Sequence, residues 1–147
     1  MFHRILIPTD GSAVSAKAVK SSVALAARLG ATVVGYHAIE PIERLYYAEG
    51  RSARAGAVKE LQARLDEQGR GYLADVAKAA ERAGVACQTV IGTPATAYQG
   101  IVETARRKKC DAIFMASHGR GPLGALLLGS VTQKVLAQSK LPVLVYR

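Results

Sequence analysis

Five short apolar runs recur along this chain, and a helix-periodic stretch separates each from the next. The runs are His3-Arg-Ile-Leu-Ile-Pro8, Ala31-Thr-Val-Val-Gly-Tyr-His-Ala38, Val85-Ala-Cys-Gln-Thr-Val-Ile91, Asp111-Ala-Ile-Phe-Met115 and Leu141-Pro-Val-Leu-Val-Tyr146. The centre of the first is continuous Ile-Leu-Ile rather than an apolar–polar alternation, as suits a strand covered on both faces. Strands alternating with helices give an α/β chain built on a parallel sheet with helices on both faces and right-handed crossovers. The helical stretches have their own periodicity. Ala18, Ser22, Leu25 and Leu29 share a face between about Ser12 and Leu29, and Gly30 stops that helix. Val58, Leu61, Leu65, Tyr72, Val76 and Ala79 mark a second helix over about Ala57 to Ala83, weakened inside by Gly69 and Gly71 and capped by Gly84. Tyr98, Ile101, Val102 and Ala105 mark a third, expected to start at Pro94 with Thr93 as its cap. A fourth begins near Ser130. Residues 41–56 show no clean period and read as a loop or a short irregular helix.

With no internal repeat and no linker, 147 residues make one domain, 1–147. Half the residues are hydrophobic, so a folded rather than a disordered chain is expected. No apolar run approaches the roughly 18–20 residues of a membrane span. The first residues run straight into a strand and show no leader pattern. Cys87 and Cys110 form no spaced motif, so the expectation is a reduced, cytoplasmic protein. The three histidines, His3, His37 and His118, have no metal-ligand spacing. The net charge is +9. No Asp or Glu follows Asp111, while Arg120, Lys134, Lys140 and Arg147 do, which favours an anion near the C-terminal third. Arg106-Arg-Lys-Lys109 reads as a solvated helix C-terminus complementing its dipole, and without interleaved aromatics nucleic acid is not the expected partner.

The chemistry concentrates between Met115 and Thr132. A strand empties there into a glycine-rich loop and then a helix N-terminus, an arrangement that suits an anion. Gly119-Arg-Gly-Pro-Leu-Gly124 has the spacing of a dinucleotide fingerprint. It follows the fourth strand instead of the first, contains Pro122, and no acid comes after it. Gly124-Ala-Leu-Leu-Leu-Gly129 has P-loop spacing, but Ser130-Val131 stands where the phosphate-binding lysine should be. Leu126-Leu-Leu128 reads as packing.

A third pattern fits. Met115-Ala-Ser-His-Gly119, nine residues, then Gly129-Ser130 resembles the G-x2-G-x9-G-S/T nucleotide loop of the universal stress protein family. Arg4-Ile-Leu-Ile-Pro-Thr-Asp10, Leu128-Gly-Ser-Val-Thr132 and Leu141-Pro-Val-Leu-Val145 resemble further segments of the same family, so the resemblance spans the chain. It implies a five-stranded parallel sheet in the order 3-2-1-4-5, Rossmann-like and close to the adenine nucleotide alpha hydrolases. The strand order would then reverse between strands 1 and 4, where open α/β sheets bind ligands. The implied ligand is ATP or another adenine nucleotide, with Mg²⁺ held through Asp10 as one option. The implied site comprises Pro8, Thr9 and Asp10 at the first strand's exit and the backbone around Ala38 for adenine. Met115, Ala116, Ser117, His118, Gly119 and Arg120 follow from the fourth strand, and Gly129, Ser130, Val131 and Thr132 form the helix N-terminus. Ser130 and Thr132 add hydroxyl donors. Ala116 departs from the family pattern, standing where the motif has its first glycine. A methyl there costs about 1 kcal/mol if the site needs positive φ or a close approach of backbone to phosphate, and little if the backbone is extended. No positioned general base for γ-phosphate hydrolysis is apparent, so at most a slow ATPase is expected. The resemblance further implies a homodimer through the C-terminal strand, at Val143 and Val145. The competing reading is an interaction protein of the same fold that holds no nucleotide and acts through its dimer surface.

Overall fold

Ile5, Leu6 and Ile7 are wholly buried, because the strand that carries them, β1 (Arg4–Pro8), lies mid-sheet between two others. The computed structural model describes residues 1–42, 55–119 and 128–147. β1 leads into α1 (Ala13–Leu29), β2 (Thr32–Ala38), α2 (Ala55–Arg82), β3 (Cys87–Gly92), α3 (Ala97–Arg107), β4 (Ala112–Ala116), α4 (Ser130–Gln138) and β5 (Val143–Tyr146). All pairings are parallel and the order is β3-β2-β1-β4-β5, as expected. Alternate residues of each inner strand face opposite cores. Ile5, Ile7, Val33, Phe114 and Ala116 pack under α1 and α2, through Val19, Val23 and Val76. Leu6, Val34, Tyr36, Ile113 and Met115 pack against Ile101 and Ala105 of α3 and Val135 of α4. No helix among the described residues is long and apolar enough to cross a membrane.

Local chemistry accounts for most boundaries. Ser12 caps α1, its side chain accepting from the Ser15 amide at 3.2 Å, and Gly30 ends the helix at φ 64°. The third helix starts later than Thr93-Pro94 implied. It begins at Ala97, and its N-cap, Thr96, makes no side-chain capping bond. Glu40, two residues past the end of β2, accepts from the Ala97 amide at 3.2 Å instead. A carboxylate from far along the chain thus takes the place of a local cap, and sequence spacing carries no trace of it. Inside α2, Gly69 has a non-local reason as well: a Cβ there would stand 2.7 Å from Cδ2 of His37. Gly71 has no neighbour within 4 Å of such an atom, so its helix cost of roughly 1 kcal/mol is not offset by packing. Most of the 41–56 segment lies outside the described residues.

Candidate functional site

Parallel strands all point their carboxyl ends the same way, and the strand order reverses between β1 and β4. The chain leaves each of these strands in opposite directions, so a crevice opens between the two exits. Its volume is about 270 Å³.

The β1 exit is held by a compact set of bonds. The Thr9 amide donates to the Tyr36 carbonyl at 2.9 Å. His37 Nδ1 donates to the Thr9 carbonyl at 2.8 Å, and the Ser15 hydroxyl donates to the Thr9 hydroxyl at 2.7 Å. Gly11 turns the chain at φ +74° with the Tyr72 ring against its Cα, a conformation and a proximity that both require glycine. Asp10 Oδ1 accepts from the Ser12 amide at 3.0 Å. The other carboxylate oxygen lies beside Gly119, where a Cβ would collide with it. Asp10 therefore tightens the turn into α1 and faces the crevice at the same time.

The β4 exit is equally fixed. Ala116 is the last residue of the strand, paired with Tyr146, and its methyl belongs to the buried cluster under α1. Lys109 is the one non-glycine with positive φ among the described residues, so the backbone at Ala116 is unstrained. Ser117 is buried; its amide donates to the Tyr146 carbonyl, and its own carbonyl accepts from the Gly129 amide, both at 2.7 Å. The Ser117 hydroxyl is 2.9 Å from His118 Nδ1 and orients that ring. At Gly129 a Cβ would stand 3.1 Å from the His118 backbone, so the loop and the helix start approach at glycine distance.

α4 supplies the anion-directed part. Gly129 is its N-cap and offers no side-chain acceptor. The first-turn amides of Ser130, Val131 and Thr132 have no intrahelical carbonyl to bond, and they carry the positive end of the helix dipole. Thr132 is buried, and its hydroxyl donates to the Ala116 carbonyl at 3.0 Å. That proton is committed to the fold, so of the two expected hydroxyl donors only exposed Ser130 keeps one available.

Of the anticipated site residues, all but Ser117 and Arg120 line this crevice. Ser117 stands behind it as a buried brace, and Arg120 lies outside the described residues, as do Gly121 and Gly124. Sequence reasoning missed Ser15, Tyr36, His37, Ala97 and Ile101, which complete the walls. Tyr36 and His37 directly precede Ala38, and Ile101 lies on the apolar stripe of α3, so their positions were legible while their role was not. Burial raises the pKa of the Tyr36 phenol, and its hydrogen bond to Thr104 partly opposes the shift. Among the described lining residues Asp10 carries the one formal charge. No group of three metal-ligating side chains occurs among the described residues. A larger groove, about 600 Å³, lies between α1 and α2, bounded by Lys20, Asp75 and Arg82. It runs along the flank of the sheet from the β1 exit, away from the α4 amides, and meets the crevice at Thr9.

Comparison with known proteins agrees with this fold. A model of the universal stress protein family matches residues 1–147. A universal stress protein of Methanocaldococcus jannaschii is 37% identical, over 100% of this chain and 83% of its own length. The solved structure of a second universal stress protein from that organism superposes with a TM-score of 0.79 at 32% identity, covering 99% of this chain and 96% of its own. More distant structures share the fold. One is a universal stress protein in complex with cAMP (TM-score 0.67, 23% identity, 99% and 97% coverage). Another is the Archaeoglobus fulgidus protein in complex with dAMP (TM-score 0.66, 16% identity, 99% and 98% coverage).

Proposed function

This chain belongs to the universal stress protein family, and we propose that it binds an adenine nucleotide, ATP with Mg²⁺ in the fullest form, in the crevice between β1 and β4. The observation that carries the reading is the convergence of the β1 exit, the β4 exit and the first turn of α4 on one cavity at the strand-order reversal. Each part of a nucleotide then has a partner of the right chemistry. Adenine lies against the Ala38 backbone between the apolar Pro8, Ile101 and Met115. The ribose hydroxyls donate to Asp10. The phosphates meet the amides of Ser130, Val131 and Thr132, the Ser130 hydroxyl, and the backbone at His118 and Gly119. Asp10 repels a bare polyphosphate, so a triphosphate binds best with Mg²⁺ bridging it to that carboxylate. The nucleotide complexes of two distant fold relatives are in keeping with this reading. We assign the protein to nucleotide-responsive stress or signalling work in the cytoplasm, as a homodimer. Its pairing edge is β5, an outermost strand where Val143 and Val145 are half-buried.

A thermal-shift series with ATP, ADP and AMP, with and without Mg²⁺, tests it. Nucleotide at about 100 times its dissociation constant adds roughly 2.7 kcal/mol, or about 5–10 °C for a chain of this size. An unchanged melting temperature at millimolar nucleotide would leave the family fold acting through its surface alone. Sedimentation at micromolar concentration tests the dimer, and a single monomeric species removes it.

A further inference from the structure

Cations stand at the beginning of every strand. Because the sheet is parallel, all strands start, and all the helices that follow them end, at the edge opposite the crevice. Read across the sheet from β3 to β5, these starts carry Arg82, Arg28, Arg4, the run Arg106–Lys109, and Lys140. All except Lys108 are exposed. The run at the end of α3, read alone, is ordinary helix C-terminal chemistry, and each helix end with roughly half a negative charge accounts for about one cation at most. The row holds eight, about twice what the four helix ends account for. The acids at this end are Glu81, Glu103 one turn before Arg106 and Arg107, and Asp111, and Asp111 is committed, its two oxygens accepting the amides of His3 at 2.7 Å and Arg4 at 3.0 Å. Arg4 Nη1 donates to the Lys108 carbonyl at 3.1 Å, which ties the middle of the row to the α3 run.

We propose that this edge docks duplex nucleic acid through its phosphate backbone, without reading sequence. Strands about 4.8 Å apart make the row roughly 19 Å long. Duplex carries one phosphate charge per about 1.7 Å of axis, so that length presents on the order of ten anions. Arginine predominates in the row, and its guanidinium takes phosphate oxygens in pairs. Among the described residues the His3 imidazole is the one exposed aromatic ring at this edge, too few to stack successive unpaired bases, which favours duplex over single strand. Among the described residues the large apolar side chains that are exposed are Met1 and Leu136, too few to seat the edge in a bilayer, where stable attachment takes a second, apolar signal.

Fluorescence anisotropy with a labelled random duplex of about 20 base pairs tests this on the whole chain, independently of any nucleotide. Binding should be clear at about 50 mM salt and fall on the order of 10²–10³-fold by about 200 mM. Arg106→Gln with Arg107→Gln should weaken it at least tenfold and flatten the salt slope by about 2. Arg28→Gln with Lys140→Gln, from other elements of the same edge, should act alike. Lys17→Gln with Lys59→Gln, which removes equal charge elsewhere on α1 and α2, should leave affinity within about twofold, with all variants checked for folding by thermal melts. Absence of binding at low salt overturns the proposal. So does equal weakening by all pairs, which assigns binding to diffuse net charge. Capture by phosphatidylserine vesicles with no duplex binding overturns it in favour of a membrane surface.

Discussion

The Thr132 hydroxyl donates to the Ala116 carbonyl at 3.0 Å, pinning the first turn of α4 to the exit of β4. Through this bond the position that departs from the family's glycine motif is held as regular strand, with its methyl in the core beneath α1. The departure is therefore unstrained. The methyl serves packing on one face of the sheet, while the carbonyl of the same residue anchors the helix that borders the crevice.

Restoring glycine at this position should consequently harm the protein rather than open its site. Ala116→Gly loses a buried methyl, about 0.8 kcal/mol, and gains backbone freedom in the unfolded chain, about 0.5–1 kcal/mol. We expect a net loss of about 1–2 kcal/mol in urea denaturation and nucleotide affinity within about twofold of the parent by calorimetric titration. A tenfold tighter glycine variant would show instead that the methyl obstructs the ligand.

Gly119 and Asp10 should behave as a pair. A Cβ at position 119 occupies the place of one Asp10 carboxylate oxygen. In Gly119→Ala the carboxylate must turn away, putting its 3.0 Å bond to the Ser12 amide at risk. The expected costs are about 1 kcal/mol of stability and about tenfold in nucleotide affinity, the scale of one hydrogen bond to a charged group. Asp10→Ala should lose a similar factor, and the double variant little more than either alone. Additive losses in that cycle would mean that Gly119 touches the ligand independently of Asp10.

The sheet was legible because its strands are local runs of Ile, Leu and Val, and a two-sided burial leaves that mark in the residues themselves. The loop positions Gly119, Gly129 and Ser130 were legible for a different reason: they match the family's loop motif, and at the two glycines close approach to Asp10 and to the His118 backbone restricts the residue type. The features that sequence could not supply are long-range. Glu40 caps a helix that begins at Ala97 rather than at Thr93-Pro94, and Gly69 makes room for His37. The Thr132 hydroxyl bonds a carbonyl in the preceding strand instead of facing the crevice. Tyr36, His37 and Ile101 became site residues only when the helices and strands packed around the opening. Spacing along the chain encodes which residue types a loop needs, whereas the occupancy of a given hydroxyl or carboxylate depends on what arrives from elsewhere.

Lys109 offers a stabilising change. It follows the end of α3 at φ 53°, its amide bonded to Arg106 at 3.1 Å and the Cys110 amide reaching back to Ala105 at 2.8 Å. This is the left-handed helix stop that glycine fills best. Relief of about 1–2 kcal/mol of strain outweighs the extra freedom glycine gives the unfolded chain. Lys109→Gly should gain about 0.5–1 kcal/mol and raise the melting temperature by a few degrees. A lower melting temperature would show that the lysine side chain contributes more than its backbone costs.

Alkaline pH should weaken the fold through Cys110. Burial pushes its thiol up to about 11, against an ordinary value of 9.0. The side chain is 6% exposed, so desolvation of the thiolate is the leading cause. A group whose folded pKa is raised holds its proton in the native state after the unfolded chain has released it. The stability this confers is complete below pH 9 and disappears as pH rises through about 11. Over that window the loss is roughly 2–3 kcal/mol, and the buried phenol of Tyr36, whose pKa is also raised, acts in the same direction. Urea denaturation between about pH 8 and 10.5 should show a falling midpoint in the parent and a shallower fall in Cys110→Ala, whatever the variant's starting stability. Parallel pH profiles for the two proteins would remove Cys110 as the cause.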